Sequence, residues 1–77
     1  MNDKHHRLVS MANQISQFFE SQPSEEERVA RVADHLTRFW DPRMRKAIVQ
    51  HLAAGGEGLR DNARRAVERL AAAQQPA

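Results

Sequence analysis

The dipeptide Asp41-Pro42 constrains the fold more than any other feature of this 77-residue chain. Proline lacks the backbone donor that a helix interior needs, and its ring disfavours the helical conformation of the residue before it. The same proline suits the first position of a new helix, where a preceding aspartate is a preferred N-cap. The sequence therefore predicts one helix that ends at about Trp40, another that begins at Pro42, and a sharp corner between them.

Apolar residues recur at helical spacing in two segments before this corner. Residues 5–21 and 24–40 carry the pattern, and Pro23 separates them. Ser24, with Glu27 three residues later, has the spacing of a capping box. The two segments predict a hairpin of antiparallel helices. The inward positions predicted for them are Leu8, Met11, Ala12, Ile15, Phe18, Phe19, Val29, Val32, Ala33, Leu36, Phe39 and Trp40.

Two further helices are predicted after the corner. The first runs from Pro42 to about Ala53, and the second from about Leu59 or Asp61 to Ala73. The segment Gly55-Gly56-Glu57-Gly58 separates them, because glycine readily adopts the left-handed conformation that closes a helix. The i, i+4 pairs Asp61–Arg65 and Arg64–Glu68 are expected on the outside of the last helix. The inward positions predicted for both helices are Met44, Ala47, Ile48, Leu52, Leu59, Ala63, Ala66, Val67 and Leu70.

These segments together predict an all-α protein, a small bundle of about four helices. Residues 1–77 are expected to form a single domain, ordered over about 5–73 with frayed ends, because so short a chain supports one small core. The sequence contains no cysteine, which excludes disulfides and thiolate chemistry. No apolar run approaches the roughly 20 residues of a membrane-spanning helix, and no apolar signal core follows the N-terminus. We therefore expect a cytoplasmic protein.

No residue pattern predicts a catalytic or metal site. The consecutive glutamates of 25–27 point in different directions around a helix, and we interpret them as stabilising its N-terminus through the helix dipole. His5 and His6 are also adjacent, so on a helix their side chains point in different directions and cannot easily share a metal ion. His35 and His51 lack a metal-ligating residue four positions later. We therefore expect no catalytic residue, no metal and no cofactor in this chain.

Nucleic-acid binding is a weaker alternative. The corner followed by a helix with basic residues has the outline of a helix-turn-helix. The formal net charge is only +2, however, whereas nucleic-acid-binding domains usually carry a basic stripe. A small helical regulator that binds nucleic acid therefore remains open as an alternative and is not the expected function.

Neighbouring aromatic residues are the strongest indication of a binding surface. Phe18/Phe19 and Phe39/Trp40 each place two rings about 100° apart on a helix, so both members of a pair cannot easily enter one small core. Two interpretations stay open: all four rings lie in the core, or part of them forms an apolar patch that docks a larger protein. Trp and Arg are also enriched among binding hot spots. The candidate interface residues are Phe18, Phe19, Phe39, Trp40, Arg43 and Arg45.

The chain also resembles a known family over about residues 8–70. The resemblance is carried by residues 11–15 followed by Phe18-Phe19, by His35-Leu36 followed by residues 39–45, and by residues 55–59. Within these segments, the run Phe-Trp-Asp-Pro-Arg-Met at 39–44 is specific. The sequence resembles the delta subunit of NAD-dependent, molybdenum-containing formate dehydrogenase.

This resemblance implies a non-catalytic accessory subunit of a cytoplasmic complex that oxidises formate and reduces NAD. The subunit would dock on the large alpha subunit and support its stability or the insertion of its cofactor. The bis-molybdopterin guanine dinucleotide, the iron–sulfur clusters and the FMN would belong to partner subunits, and this chain would hold none of them. Two further possibilities stay open, namely a transient chaperone of the cofactor-free large subunit and self-association of the isolated chain.

Overall fold

The computed structural model describes residues 3–74 as four α-helices that pack into a small bundle. A single 3₁₀ turn, Phe19–Ser21, follows the first helix, and the described part contains no strand. The all-α bundle predicted from the sequence is therefore confirmed. The predicted frayed ends lie largely outside the described residues, although the first helix begins two residues before the predicted range. The helices are α1 (Asp3–Phe18), α2 (Glu25–Phe39), α3 (Pro42–Ala53) and α4 (Asp61–Gln74).

The corner between α2 and α3 forms as the sequence predicts. Pro42 is the first residue of α3, and the Asp41 side chain accepts a hydrogen bond of 2.9 Å from the Met44 backbone N–H. Trp40 ends α2 with an extended backbone, while its N–H still bonds the Leu36 carbonyl at 3.1 Å. The two helices therefore meet with only two residues between them, 40 and 41.

The N-terminus of α2 is held by a cap and by contacts with α4. The Ser24 hydroxyl accepts a hydrogen bond from the Glu27 N–H at 3.1 Å, which is the Ser24 half of the predicted capping box. Two glutamates of the first turn also form ion pairs with α4. The glutamates of residues 25–27 were predicted only to stabilise the N-terminus of α2 through the helix dipole. Two of them also link α2 to α4.

The core lies around α4, which packs against each of the other three helices and most extensively against α2. The predicted hairpin contact between α1 and α2 is present, but the sequence pattern did not indicate that α4 would be the principal neighbour of α2. The buried apolar residues are Val9, Ala12, Val29, Val32, Leu36, Trp40, Ile48, Ala63, Ala66, Val67 and Leu70. Their distribution confirms the inward faces predicted for most of α2 and for α4.

Two of the four aromatic residues lie outside the core, so of the two interpretations left open, the one in which all four rings are buried is wrong. Phe18 and Phe39 are 76% and 71% exposed, respectively. On α1 the buried face is centred on Ala12, and six residues at 3.6 per turn put Phe18 about 120° around the helix from it. Val9 and Ser16, which were not predicted to face inward, are buried on that helix. On α2 the last inward position is filled by Trp40 at the corner, which leaves Phe39 outside.

The glycine segment ends α3 and accepts hydrogen bonds from a side chain of α4. Gly56 has a φ of 65°, and its N–H bonds the His51 carbonyl at 2.9 Å. The Arg64 guanidinium donates to the carbonyls of Gly55 and Gly56 at 3.1 and 3.2 Å. Arg64 therefore binds this turn and does not form the ion pair with Glu68 that its spacing predicted.

The side chain of Asn13 fastens the same loop to α1. Its Nδ2 donates to the Gly58 carbonyl, and its Oδ1 accepts from the Arg60 backbone N–H, both at 2.9 Å. The predicted Asp61–Arg65 pair at the start of α4 is present, with 3.4 Å between Oδ2 and Nε. None of the helices within residues 3–74 combines the length and the apolar character needed to cross a lipid bilayer.

Candidate functional site

The candidate site is an open groove of about 460 Å³ between α1, α2 and the start of α3. Most of its lining is apolar, and we call it the aromatic groove. Phe18 on α1 and Phe39 at the end of α2 stand exposed at its edges. The lining residues are Met11, Gln14, Ile15, Phe18, Phe19, His35, Phe39, Trp40 and Met44.

A continuous line of rings crosses the groove from α1 to α2. The ring centroids of Phe18 and Phe19 are 5.0 Å apart and nearly perpendicular. The Phe19 centroid lies 6.3 Å from that of His35, which lies 4.7 Å from that of Phe39. The first two pairs meet edge to face and the third is tilted, at separations that are favourable for aromatic pairs. The two exposed phenylalanines are therefore supported by half-buried rings behind them.

Two of the candidate interface residues, Trp40 and Arg45, contribute to the packing of the protein itself. Trp40 is only 4% exposed and lies in the core, so it forms part of the groove wall and offers little surface to a partner. The half-buried guanidinium of Arg45 donates to the carbonyls of Thr37 and Trp40. These carbonyls lie at the C-terminal end of α2, where a cation is favoured by the helix dipole. Arg45 therefore stabilises the corner, and its role as a candidate interface residue stays a prediction.

Two exposed arginines lie close in sequence to residues that line the groove. Arg43 is exposed, immediately precedes the groove-lining Met44, and forms no ion pair with any side chain among residues 5–73. Arg7 is also exposed and lies one helical turn before Met11, on the same side of α1.

Sequence analysis identified the exposed rings but missed several of their neighbours in the groove. Met11 lies seven residues before Phe18, and His35 lies four residues before Phe39. Helical spacing therefore places each of them on the same helix face as an exposed ring, and this spacing could have identified both. Gln14 and Ile15 lie four and three residues before Phe18 on α1, so they follow from the same rule once the groove is known. The long-range approach of α1 to the corner, which brings Met11 and Met44 together at one groove, had no local signal.

Other clusters offer less chemistry. No group of three or more His, Cys, Asp or Glu residues that could hold a metal ion occurs among the described side chains. The rings of His5 and His51 do meet edge to face, with centroids 5.3 Å apart, a long-range pairing that sequence spacing did not predict. The His51 ring donates from Nε2 to the Glu57 carbonyl at 2.7 Å, which indicates a packing role for this ring.

These features define a small all-α protein in which the exposed rings of Phe18 and Phe39 stand at one apolar groove. The chain belongs to the NADH-dependent formate dehydrogenase delta subunit family, FdsD, whose family model matches residues 7–67. The matched range includes every residue that lines the groove, as well as Arg7 and Arg43. This match confirms the family that the sequence segments resemble. The comparisons with curated proteins and with solved structures yielded no match.

Proposed function

We propose that this chain is a non-catalytic accessory subunit of a cytoplasmic NADH-dependent formate dehydrogenase and docks on its large alpha subunit through the aromatic groove. The observation that carries the proposal is the exposure of Phe18 and Phe39 at one groove. Removing apolar surface from water is favourable by about 25 cal/mol per Å². A partner that covers both rings gains this contribution, and membership of the FdsD family indicates the complex in which the partner is to be sought.

The chemistry of the groove favours docking over catalysis. Among its nine lining residues, His35 is the only one with a titratable side chain. Acid–base or nucleophilic catalysis generally needs a second positioned group beside the first. The lining instead resembles the apolar centre of a protein interface, in which aromatic residues and methionine are enriched. The molybdenum cofactor and the other redox groups are accordingly assigned to partner subunits.

The proposed role is to support the stability of the alpha subunit or the insertion of its cofactor. A small bundle with a preformed groove can cover an apolar element of a larger protein without rearranging its own helices. Covering that element stabilises the partner by mass action, because only the folded partner presents it. This role requires no reacting group on the delta subunit itself.

Co-purification tests the proposal. The tagged chain would be isolated from its native cells as the wild type, as the double variant Phe18→Ser/Phe39→Ser, and as Ala72→Ser. Ala72 lines a different open surface, between α2 and α4, and serves as the control. We expect the wild type and the control to retain the alpha subunit, and the double variant to retain at least ~10-fold less, as hot-spot changes do. Circular dichroism would show that all three are folded.

Two outcomes would contradict the proposal. One is retention of the alpha subunit by the double variant at the wild-type ratio. The other is unchanged formate-dependent NADH formation in cells from which the chain has been deleted. The ratio of subunits in the active enzyme separates the two forms of the role: one delta per alpha indicates a resident subunit, whereas binding only to cofactor-free alpha indicates a transient chaperone.

A further inference from the structure

We infer that Arg45 is a positioning residue for docking, because it fixes the last turn of α2 and thereby the exposed ring of Phe39. This inference rests on the proposed function, in which a partner covers that ring. It gives Arg45 a role in docking that needs no contact between its guanidinium and the partner. The hydrogen bonds of Arg45, its burial and the way in which α2 ends support this role.

The end of α2 leaves carbonyl groups that need donors. The carbonyls in the last turn of a helix have no partner within the helix. The Trp40 N–H bonds the Leu36 carbonyl at 3.1 Å, but the backbone of Trp40 is extended and α2 does not continue. Pro42 begins the next helix and has no N–H to donate. Other groups must therefore satisfy the carbonyls that follow Leu36.

Arg45 provides such donors on both sides of Phe39. Its Nη1 donates to the Thr37 carbonyl at 3.2 Å and also to the Trp40 carbonyl. Thr37 lies two residues before Phe39 and Trp40 directly follows it, so both ends of this short segment are bound to one guanidinium. Hydrogen bonds from a charged donor are roughly twice as strong as those between neutral groups. Arg45 therefore fixes the backbone that carries the Phe39 ring.

The Phe39 ring depends on that backbone for its position. It is 71% exposed, and the ring that packs against it is the half-buried His35, with 4.7 Å between the centroids. The neighbouring Trp40 is only 4% exposed and is held by the core instead. A side chain that is already ordered in its bound position costs less to immobilise on binding. Loss of the Arg45 hydrogen bonds should therefore weaken docking even when the helices stay folded.

The guanidinium of Arg45 is poorly suited to contact a partner directly. The residue is half-buried, and its Nη1 is shared by two backbone carbonyls. To meet a partner, this group would have to leave both carbonyls, and a partly buried acceptor that loses its donor is unfavourable. The hydrogen bonds at the corner therefore favour positioning over direct contact.

Double-mutant cycles in the intact complex test this inference. Each tagged variant would be co-expressed in native cells with the untagged wild-type chain. The ratio of the two chains in the complex isolated through the alpha subunit, divided by their ratio in the lysate, measures relative incorporation. We expect Arg45→Met to reduce incorporation ~3–10-fold when Phe39 is intact. Combined with Phe39→Ala, it should reduce incorporation less than about twofold relative to Phe39→Ala alone, because coupled residues are not additive.

Two controls separate positioning from other effects of the substitution. Combined with Phe18→Ala, at the other edge of the groove, Arg45→Met should still reduce incorporation ~3–10-fold, because Arg45 does not hold that ring. Lys46→Met removes one positive charge from the neighbouring exposed residue and should stay within about twofold of the wild type. Circular dichroism would establish that each variant is folded. Arg45→Gln, whose side chain is shorter, would replace Arg45→Met in the cycles if the latter did not fold.

The outcomes distinguish this inference from the proposed function. If the wild-type chain does not enter a complex with the alpha subunit, the proposed function itself fails. If the wild-type chain is incorporated and Arg45→Met is incorporated equally well, only the positioning role of Arg45 is overturned. Equal losses in the Phe39→Ala and Phe18→Ala backgrounds, or an equal loss for Lys46→Met, would also overturn it, since Arg45 would then act by contact, charge or overall stability.

Discussion

Adjacent residues at the corner have opposite environments. Trp40 is 4% exposed and Phe39 is 71% exposed, although one follows the other. Helix α2 ends at Phe39, and the extended backbone of Trp40 (φ −88°, ψ 139°) lies outside the helix. We therefore expect the binding role proposed for both rings to belong mainly to Phe39. Trp40 supports the groove from inside.

Substitution of the two rings should separate stability from docking. We expect Trp40→Ala to lower the free energy of unfolding by ~3–5 kcal/mol, as for other buried aromatic residues. Phe39→Ala should change it by no more than ~0.5 kcal/mol, because that side chain is exposed, and should weaken alpha-subunit binding instead. Urea unfolding followed by circular dichroism measures the first effect. Equal losses of stability in the two variants would show that Phe39 also belongs to the core.

The backbone of Gly56 gives a second residue-scale prediction. Its φ of 65° is unfavourable for L-residues, and an added Cβ would lie 3.0 Å from the Arg64 guanidinium. We expect Gly56→Ala to lower the free energy of unfolding by at least ~1 kcal/mol. The loss should be smaller when Gly56→Ala is introduced into an Arg64→Ala background, because the steric part is then absent. An additive double variant would contradict the close contact.

At the scale of elements, the corner between α2 and α3 depends on a helix cap and on an arginine that binds the end of α2. Asp41 caps the N-terminus of α3 through the Met44 N–H, and Arg45 binds carbonyls at the end of α2. One side chain therefore fixes where the new helix begins, while the other holds the preceding helix against it. The position of Phe39 at the groove depends on both.

Removal of the cap should be measurable by itself. We expect Asp41→Ala to lower the free energy of unfolding by about 1 kcal/mol, since an unsatisfied N–H then remains at the start of α3. Asp41→Asn should retain most of the stability, because asparagine is a comparable cap. Thermal and urea unfolding of the three proteins provide the test. Indistinguishable stability of the alanine variant would mean that water replaces the cap without loss.

The contact between α2 and α4 includes ion pairs on its outer side. Arg69 Nη2 lies 2.7 Å from Glu26 Oε1, and both side chains are partly exposed to water. A double-mutant cycle with Glu26→Gln and Arg69→Gln should give a coupling of no more than ~1 kcal/mol, decreasing with salt. A larger, salt-insensitive coupling would show that the pair is more strongly desolvated than its exposure indicates. The apolar contact beneath it, which includes Val29, accounts for the main stabilisation.

At the scale of the whole molecule, the open groove affects how the isolated chain behaves. Exposed rings favour self-association, whereas the formal net charge of +2 makes two copies repel each other. Screening of this repulsion by salt should therefore promote association.

Sedimentation measurements can test how self-association of the isolated chain depends on salt. We expect the isolated chain to be more monomeric at low salt, with its self-association constant rising at least ~3-fold towards 1 M salt as repulsion is screened. Phe18→Ser/Phe39→Ser should remain monomeric throughout that range. Self-association of the double variant equal to that of the wild type would place the contact on another surface.

The sequence by itself determined the elements of this protein. Pro23, Asp41-Pro42 and the glycine segment set helix boundaries within a few residues of those observed, because caps and breakers act through adjacent backbone groups. Helical periodicity also identified most of the buried positions on α2 and α4. The family followed from short segments of sequence, and it was confirmed by the match over residues 7–67.

Only the tertiary structure decided how each helix is rotated and which rings stay outside. Helix α1 has apolar residues over a wide arc, so its sequence is compatible with several inward faces. The fully buried alanines Ala12, Ala63 and Ala66 lie at the close contacts between helices, and their small size lets α1 and α4 approach the core with those faces inward. This packing turns Phe18 outward, and Trp40 takes the core position that leaves Phe39 exposed. The rotation of each helix and the exposure of each ring depend on how surfaces that are distant in sequence pack together. Local sequence patterns do not determine this packing.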